Sequence, residues 1–208
     1  MMSSDWRHWF KKKEHHGYDA HKTKLGKVWH FLAHDESIGS FVADAILVIV
    51  IGKFIVLPLL SLALGTSFPM VAVVSSSMDH HGSFDSWWEQ NKNWYAEQNI
   101  TKEQFLSFPN TNGFSKGDVF IVHGSSFANL KIGDVIVYTI PGKADPIIHR
   151  IVKIENNVVQ TKGDANQGQL SFELDVHSEQ IKGKAVFKIP LIGWVKVGFV
   201  ELMAAFKR

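Results

Sequence analysis

Ser77 and His149 are the two residues of this sequence best suited to nucleophilic chemistry. The 208-residue chain contains no cysteine, so a covalent mechanism would need a hydroxyl nucleophile. Ser77 follows a short apolar run, but a serine reacts poorly until a nearby base takes its proton. The imidazole of His149 titrates near neutrality and could act as that base. Asp164, in a loop that begins with Gly163, could hold the imidazole in the productive tautomer, as the third member of a catalytic triad does.

The elements that would position these side chains are short strands. Runs rich in β-branched residues alternate with turn residues, which predicts a mainly antiparallel β domain. The predicted strands cover residues 70–74, 118–123, 134–139, 147–155, 158–162 and 181–189. Asn156-Asn157 indicates a hairpin turn between two of them. A doubly wound nucleotide-binding fold is not expected, because the helices that it needs between strands are missing from the pattern.

Two segments depart from the strand pattern. Residues 79–113 are polar, contain three tryptophans, and include Thr101-x-x-Gln104, a capping-box signal for a helix start. We predict a small helical insertion here, with its tryptophans packed on the β domain or resting at a membrane interface. Residues 192–206 are apolar on most faces but short for a membrane crossing, and we predict an interfacial or core helix.

A long apolar run near the N-terminus predicts a membrane anchor. Residues 41–64 contain only two charged side chains, Asp44 and Lys53, and exceed the roughly 20 residues that cross a bilayer. Residues 1–40 hold seven Lys/Arg against five Asp/Glu, so the positive-inside rule predicts a cytoplasmic N-terminal segment. Residues 65–208 would then form an extracytoplasmic domain of a single-pass protein in the cell membrane. A cleaved signal sequence is the competing interpretation, since 61–63 resemble a cleavage site.

Composition limits the functional classes further. Hydrophobic residues make up 45 % of the chain, which is typical of a folded protein and not of a disordered one. A formal net charge of only +2 does not favour a nucleic-acid-binding surface.

Four motifs, in order along the chain, resemble those of type I signal peptidases of the archaeal and endoplasmic-reticulum kind. Residues 68–78, FPMVAVVSSSM, resemble the family box that ends in Ser-Gly-Ser-Met. The Gly-Asp pairs at 117–118 and 133–134 resemble its middle box. Residues 148–152, IHRIV, resemble the histidine box, and residues 161–166, TKGDAN, resemble the Gly-Asp-x-Asn box. With the preceding helix, the resemblance covers about residues 41–195.

The resemblance implies a membrane-bound peptidase that removes signal peptides from exported precursor proteins, without a cofactor or metal. Ser77 matches the family nucleophile and His149 its catalytic histidine. Ser75 matches a position whose hydroxyl helps to bind the oxyanion. The implied partners are precursors with signal peptides, the lipid bilayer and the protein-export channel.

The acidic member of the triad is the least defined. Family members commonly carry a second aspartate a few residues after the Gly-Asp-x-Asn box. In this chain the next aspartate is Asp175, after the interval QGQLSFEL of residues 167–174. Either Asp175 orients the histidine through a longer loop or Asp164 does so alone, and we expect Asp175 with Asp164 in a supporting role. Ser76 also replaces the usual glycine of the nucleophile box.

Three alternatives remain open at the level of sequence. The chain could be a membrane-anchored, catalytically inactive β module that binds exported or envelope proteins. It could be a metal enzyme, whose candidate ligands are the histidines His80, His81, His123, His149 and His177. It could use a lysine base, either Lys153 or Lys162, with the same serine.

Overall fold

A computed structural model of the protein describes residues 23–24, 26–29, 37–143 and 145–198. The chain divides into two compact units, Met1–Val56 and Leu57–Arg208. Most of the predicted cytoplasmic segment 1–40, and the second half of the predicted C-terminal helix 192–206, lie outside the described residues. Residues 194–198 are helical.

The apolar run near the N-terminus is helical throughout. It consists of helix α1 (Ile38–Ile51), a π-helical stretch (Gly52–Val56) and helix α2 (Leu57–Leu64). The Ser37 hydroxyl caps the start of α1 by accepting a hydrogen bond from the Ser40 backbone N–H. Together the three stretches form 27 helical residues, long and apolar enough to cross a membrane.

Seven strands form one antiparallel sheet. They are β1 (Met70–Ala72), β2 (Val119–His123), β3 (Val135–Tyr138), β4 (Ile147–Glu155), β5 (Val158–Lys162), β6 (Val176–His177) and β7 (Ile181–Ile189). Their order across the sheet is β1-β2-β7-β3-β4-β5-β6. This architecture confirms the predicted fold class, a mainly antiparallel β domain with one apolar N-terminal helix and a small helical part. The two-residue strand β6 was not predicted.

The turn between β4 and β5 follows directly from its sequence. Asn156 and Asn157 both adopt positive φ angles, 49° and 65°. A two-residue hairpin loop of the favoured type needs this left-handed conformation at both positions, which asparagine tolerates better than most residues.

Apolar side chains on the two faces of the sheet form separate clusters. One contains Val71, Phe120, Val122, Val137 and Ile148, together with Met78 and Phe114 from the segments that follow β1. The other contains Leu130, Ile136, Tyr138, Ile151, Val159 and Val176. Because these clusters bury alternate residues of β3, that strand is covered on both sides.

The segment between β1 and β2 contains helices α3 (Phe84–Glu97) and α4 (Lys102–Leu106). The predicted capping box is present, since the Thr101 hydroxyl accepts from the Gln104 backbone and the Gln104 side chain accepts from the Thr101 backbone. Trp87 and Trp88 are buried in an aromatic cluster that also contains Val152 of β4. These two tryptophans therefore pack inside the protein, one of the two arrangements that the sequence allowed.

Candidate active site

The middle of the sheet places two neighbouring residues of β4 in different environments. His149 pairs with Ile136 of β3 and lines an open cleft. Arg150 is completely buried. Side chains alternate between the faces of a strand, so one strand supplies both a cleft residue and an internal cation.

Ser77 lies in a turn that is fixed on two sides by backbone hydrogen bonds. The N–H of Ala165, from the loop after β5, donates to the Ser77 carbonyl at 2.8 Å. The N–H of Phe114 donates to the carbonyl of Met78 at 3.0 Å. The turn is therefore held between the loop after β5 and the segment that leads into β2.

The predicted nucleophile and base are in contact. Ser77 Oγ lies 2.8 Å from His149 Nε2, although the two residues are 72 positions apart in the chain. The Ser75 hydroxyl lies 3.1 Å from Ser77 Oγ. A neutral imidazole with its proton on Nδ1 leaves Nε2 free to accept the Ser77 proton, while Ser77 Oγ can accept from Ser75.

The carboxylate beside this histidine belongs to Glu173. Its Oε1 lies 2.5 Å from His149 Nδ1, within ion-pair distance, although the ring N–H does not point squarely along the contact. Glu173 is fully buried, and its two oxygens also accept backbone N–H groups, Gly163 at 3.1 Å and Leu170 at 2.6 Å. A short 3-10 helix, Ser171–Glu173, positions the side chain.

The two predicted aspartates have other partners. Asp175 is two-thirds exposed, and its carboxylate lies 3.3 Å from His177 Nε2. Asp164 is fully buried and binds Arg150 and His80. Neither carboxylate is hydrogen-bonded or ion-paired to His149 in the described part of the chain.

Glu173 is not among the acids predicted from the sequence, because the resemblance implies an aspartate at this position of the triad. The signal was present: Glu173 is the single acidic residue in the interval 167–174, nine positions after Asp164. An acid within a run of apolar residues, Leu170, Phe172 and Leu174, is a candidate for burial with a partner.

Asp164 is the centre of a buried ionic cluster. The Arg150 guanidinium contacts its carboxylate through Nε at 3.0 Å and Nη2 at 2.8 Å, while His80 Nε2 lies 3.1 Å from Oδ2. Burial alone would raise the pKa of Asp164, but the Arg150 charge and the hydrogen bonds from His80 and Arg150 outweigh burial and lower the pKa to about 2. Arg150 also donates to the carbonyls of Pro109, Asn110 and Gly133, which ties two loops to this cluster.

This lowered pKa predicts an acid-dependent loss of stability. Asp164 binds a proton more weakly in the folded state, at about 2, than at its ordinary value of 3.8, so its stabilising effect is present above pH 3.8 and disappears as pH falls towards 2. The difference corresponds to about 2 kcal/mol. Urea unfolding of the detergent-solubilised chain at several pH values checks it, because the gap in unfolding free energy between wild type and Asp164→Asn should shrink from pH 5 to pH 2. A gap that stays constant over this range would contradict the prediction.

Gly163 lies against Ser77 and His149. A Cβ atom at this position would come 2.8 Å from the Ser77 carbonyl oxygen, 2.7 Å from the Asn166 amide and 3.1 Å from His149 Nε2. The distances to Ser77 and Asn166 are too short for a carbon atom, so a larger residue would displace the serine turn or the Asn166 side chain. The glycine of the Gly163-Asp164 motif is thus required by close packing at the site.

The cleft beside Ser77 is apolar and of modest size. Its volume is about 340 Å³, and it is lined by Ala72, Val74, Ile147, Ile148 and Pro146, with Lys143 and Asp145 also on its lining. Ser75, Ser77 and His149 form its polar part. A small apolar side chain of a bound peptide would fit beside the hydroxyl.

The two lysines named as alternative bases do not line the cleft beside Ser77. Lys162 is buried over the rings of Trp94 and Tyr95 and donates to the carbonyl of Gly163, and Lys153 pairs with Glu155 at the surface. Burial lowers the pKa of Lys162 to about 8 despite the nearby carboxylates. Among the described residues, no three His, Asp or Glu side chains converge in a group that could hold a metal ion.

Serine hydrolases attack a carbonyl group with a hydroxyl, an imidazole and a carboxylate arranged in series. The same three groups lie in series here, beside an apolar cleft.

The chain is similar to the signal peptidase complex catalytic subunit SEC11 of Saccharomyces cerevisiae, in strains YJM789, RM11-1a and JAY291, at 30% identity over 99 residues. The match covers 42% of this chain and 59% of each relative. No protein-family model matches the chain.

This similarity relates the chain to the catalytic subunit of a peptidase complex. Together with the 27-residue apolar helix, it fits a membrane-anchored protein. The chain spans about three-fifths of the length of the relatives that it matches.

Proposed function

We propose that this protein is a membrane-bound serine endopeptidase that cleaves N-terminal signal peptides from exported proteins. Ser77 is the nucleophile, His149 the general base, and Glu173 the acid that orients the imidazole. The observation that carries this proposal is the 2.8 Å contact between Ser77 Oγ and His149 Nε2 at the edge of an accessible cleft. Similarity to SEC11 supports the choice of substrate class.

The reaction follows from these positions. Ser77 Oγ attacks the scissile carbonyl carbon while His149 Nε2 takes the hydroxyl proton, and the resulting imidazolium is stabilised by Glu173. The hydroxyl of Ser75 and the backbone N–H of Ser77 donate to the developing oxyanion. His149 then returns the proton to the leaving amine, which breaks the peptide bond and leaves an acyl group on Ser77. Water, activated by the same imidazole, releases the acyl group and restores the enzyme.

The cleft favours a signal peptide with small residues before the cut. A substrate that lies as an extended strand along the cleft would direct alternate side chains towards its lining. Ala72, Val74 and Ile148 leave space for a small apolar side chain near Ser77. Small residues at the first and third positions before the cleavage site are also what the family resemblance implies.

The proposed topology has one membrane crossing. Residues 1–40 lie in the cytoplasm, residues 41–64 cross the cell membrane, and residues 65–208 form the extracytoplasmic peptidase domain. The partners are precursors with signal peptides, the bilayer itself and the protein-export channel. The excess of Lys/Arg before the apolar helix supports this orientation.

A cleavage assay with the full chain tests the proposal. The detergent-solubilised protein is incubated with a precursor that carries a signal peptide, and the products are identified by mass spectrometry. We expect one cut, directly after a small residue at the end of the apolar part of the signal peptide. A wild-type protein that binds the precursor but leaves it intact would contradict the proposal and favour an inactive binding module.

A further inference from the structure

His80, three residues after the proposed nucleophile, is buried in an unusual setting. Its ring stacks on the indole of Trp87 with the centroids 3.8 Å apart and the planes inclined by 2°. Its Nε2 lies 3.1 Å from Asp164 Oδ2, and its Nδ1 has no hydrogen-bond partner among the described residues. The ring stack and the contact with Asp164 together hold the imidazole in the interior of the domain.

The helical insertion also holds Asp164 directly. The indole N–H of Trp87 donates to the Asp164 carbonyl at 2.9 Å, and the Tyr95 hydroxyl lies 3.4 Å from Asp164 Oδ1. Both residues belong to α3 and are buried. Helix α3 therefore contacts both the backbone carbonyl and the carboxylate of Asp164, in the loop after β5. It also contacts His80, which follows the serine turn.

The same loop holds the nucleophile from the other side. The Asp164 N–H points at Met78 Sδ at 3.3 Å, and the next N–H, of Ala165, donates to the Ser77 carbonyl. A Cβ at Gly113 would come 2.3 Å from the Met78 carbonyl oxygen and 2.6 Å from a ring carbon of His80. The backbone on each side of Met78 is thus enclosed by tightly packed neighbours.

We infer that the insertion positions the nucleophile, and that His80 is the positioning residue through which it does so. His80 joins the end of the serine turn to Asp164 and to the aromatic cluster of α3, so the turn cannot shift without breaking a buried hydrogen bond and a ring stack. This role rests on the proposed function. It also assigns a purpose to the insertion that the sequence alone did not provide.

His80 is not a second base. Its ring nitrogens lie against Asp164 and in the protein interior, and His80 does not line the cleft that contains Ser77 and His149. Its effect on the reaction must therefore be indirect, through the position of Ser77 Oγ relative to His149.

Kinetic constants of His80 variants test this inference. Displacement of a reacting group by about 1 Å costs on the order of 100-fold in rate, so we expect His80→Ala to lower kcat by about 10- to 100-fold with KM changed less than about twofold. His80→Gln retains an N–H that can reach Asp164 and should recover most of the lost rate. His81→Asn is the matched control, since the His81 side chain is 66% exposed and asparagine tolerates its φ of 50°.

Amide hydrogen exchange of residues 76–79 and 163–165 provides a readout independent of catalysis. We expect faster exchange in His80→Ala than in wild type or His81→Asn. If His80→Ala does not fold, Trp87→Phe replaces it: phenylalanine keeps a ring beside His80 but loses the N–H donor to Asp164, and a kcat loss of about fivefold or more is expected.

The kinetic and exchange measurements together distinguish a positioning role of His80 from no role. A folded His80→Ala with wild-type kcat and unchanged exchange would overturn the inference, as would equal losses in His80→Ala and His81→Asn. An inert wild type would count against the proposed function, whereas the exchange comparison would still show whether His80 holds the serine turn.

Discussion

Ser77→Ala is expected to lower kcat for signal-peptide cleavage by about 10⁴- to 10⁶-fold. Among the described residues, Ser77 is the hydroxyl that is hydrogen-bonded to His149 Nε2. Removal of a catalytic serine in comparable triads leaves only the contribution of binding and oxyanion stabilisation. Because the alanine removes one hydroxyl from a partly exposed position, the fold should be unaffected. Time-resolved cleavage of a precursor by the full chain in detergent, at saturating substrate, measures the effect.

A neighbouring serine provides the matched control. Ser76 is exposed and has the same side chain, so Ser76→Ala should cleave at close to the wild-type rate. His149→Ala should lose nearly as much as Ser77→Ala, and the double variant should be no worse than either, because the two groups act as a unit. Substantial cleavage by Ser77→Ala would mean that another group performs the attack, and the proposed mechanism would be wrong.

Glu173→Gln is expected to lower kcat by roughly 10³- to 10⁴-fold, the second-largest effect. A carboxylate offers acceptors on both oxygens, here to His149 Nδ1, the Gly163 N–H and the Leu170 N–H. Glutamine has one oxygen, so its amide N–H₂ must face either the Leu170 N–H or the imidazole together with the Gly163 N–H. In either orientation the negative charge that stabilises the imidazolium is lost. Loss of the orienting acid by an isosteric amide has an effect of this size in other triads. The measurement is kcat on the same precursor, together with the histidine ring signals by NMR.

Asp175→Asn separates the two possible acids. Asp175 is exposed and its carboxylate pairs with His177, so its amide variant should remain within about twofold of wild type. A large loss of kcat in Asp175→Asn, with little change in Glu173→Gln, would indicate that Asp175 orients His149, as the sequence suggested. The two substitutions make the same chemical change two positions apart, which makes the comparison direct.

The strands could be predicted because their signals are local. Alternating β-branched residues and the Asn156-Asn157 turn fix the hairpin of β4 and β5 through backbone preferences of a few neighbouring residues. The capping box at Thr101 is local in the same way, and it is present as predicted. By contrast, β6 has only two residues, Val176–His177, and no sequence pattern of that length distinguishes a strand.

The acid beside His149 could not be selected by the same reasoning. Asp164, Glu173 and Asp175 all lie within twelve positions of each other, and their order along the chain does not say which one reaches the imidazole. That depends on the 3-10 turn of residues 171–173, which directs Glu173 inward and leaves Asp175 in solvent. Asp164 is instead paired with Arg150, because a buried guanidinium requires a carboxylate partner.

The sequence by itself determined the kinds of chemistry that are available: a serine, a histidine, an apolar span long enough for a bilayer, and strands that would form an antiparallel sheet. Residue type and local periodicity suffice for these, since each is a property of short segments. Only the tertiary structure decided which groups meet, for example that His80 turns towards Asp164 and Trp87 while His149 faces Ser77. Contacts between residues 70 or more positions apart depend on how the sheet and its insertion pack together, and no local pattern encodes that packing.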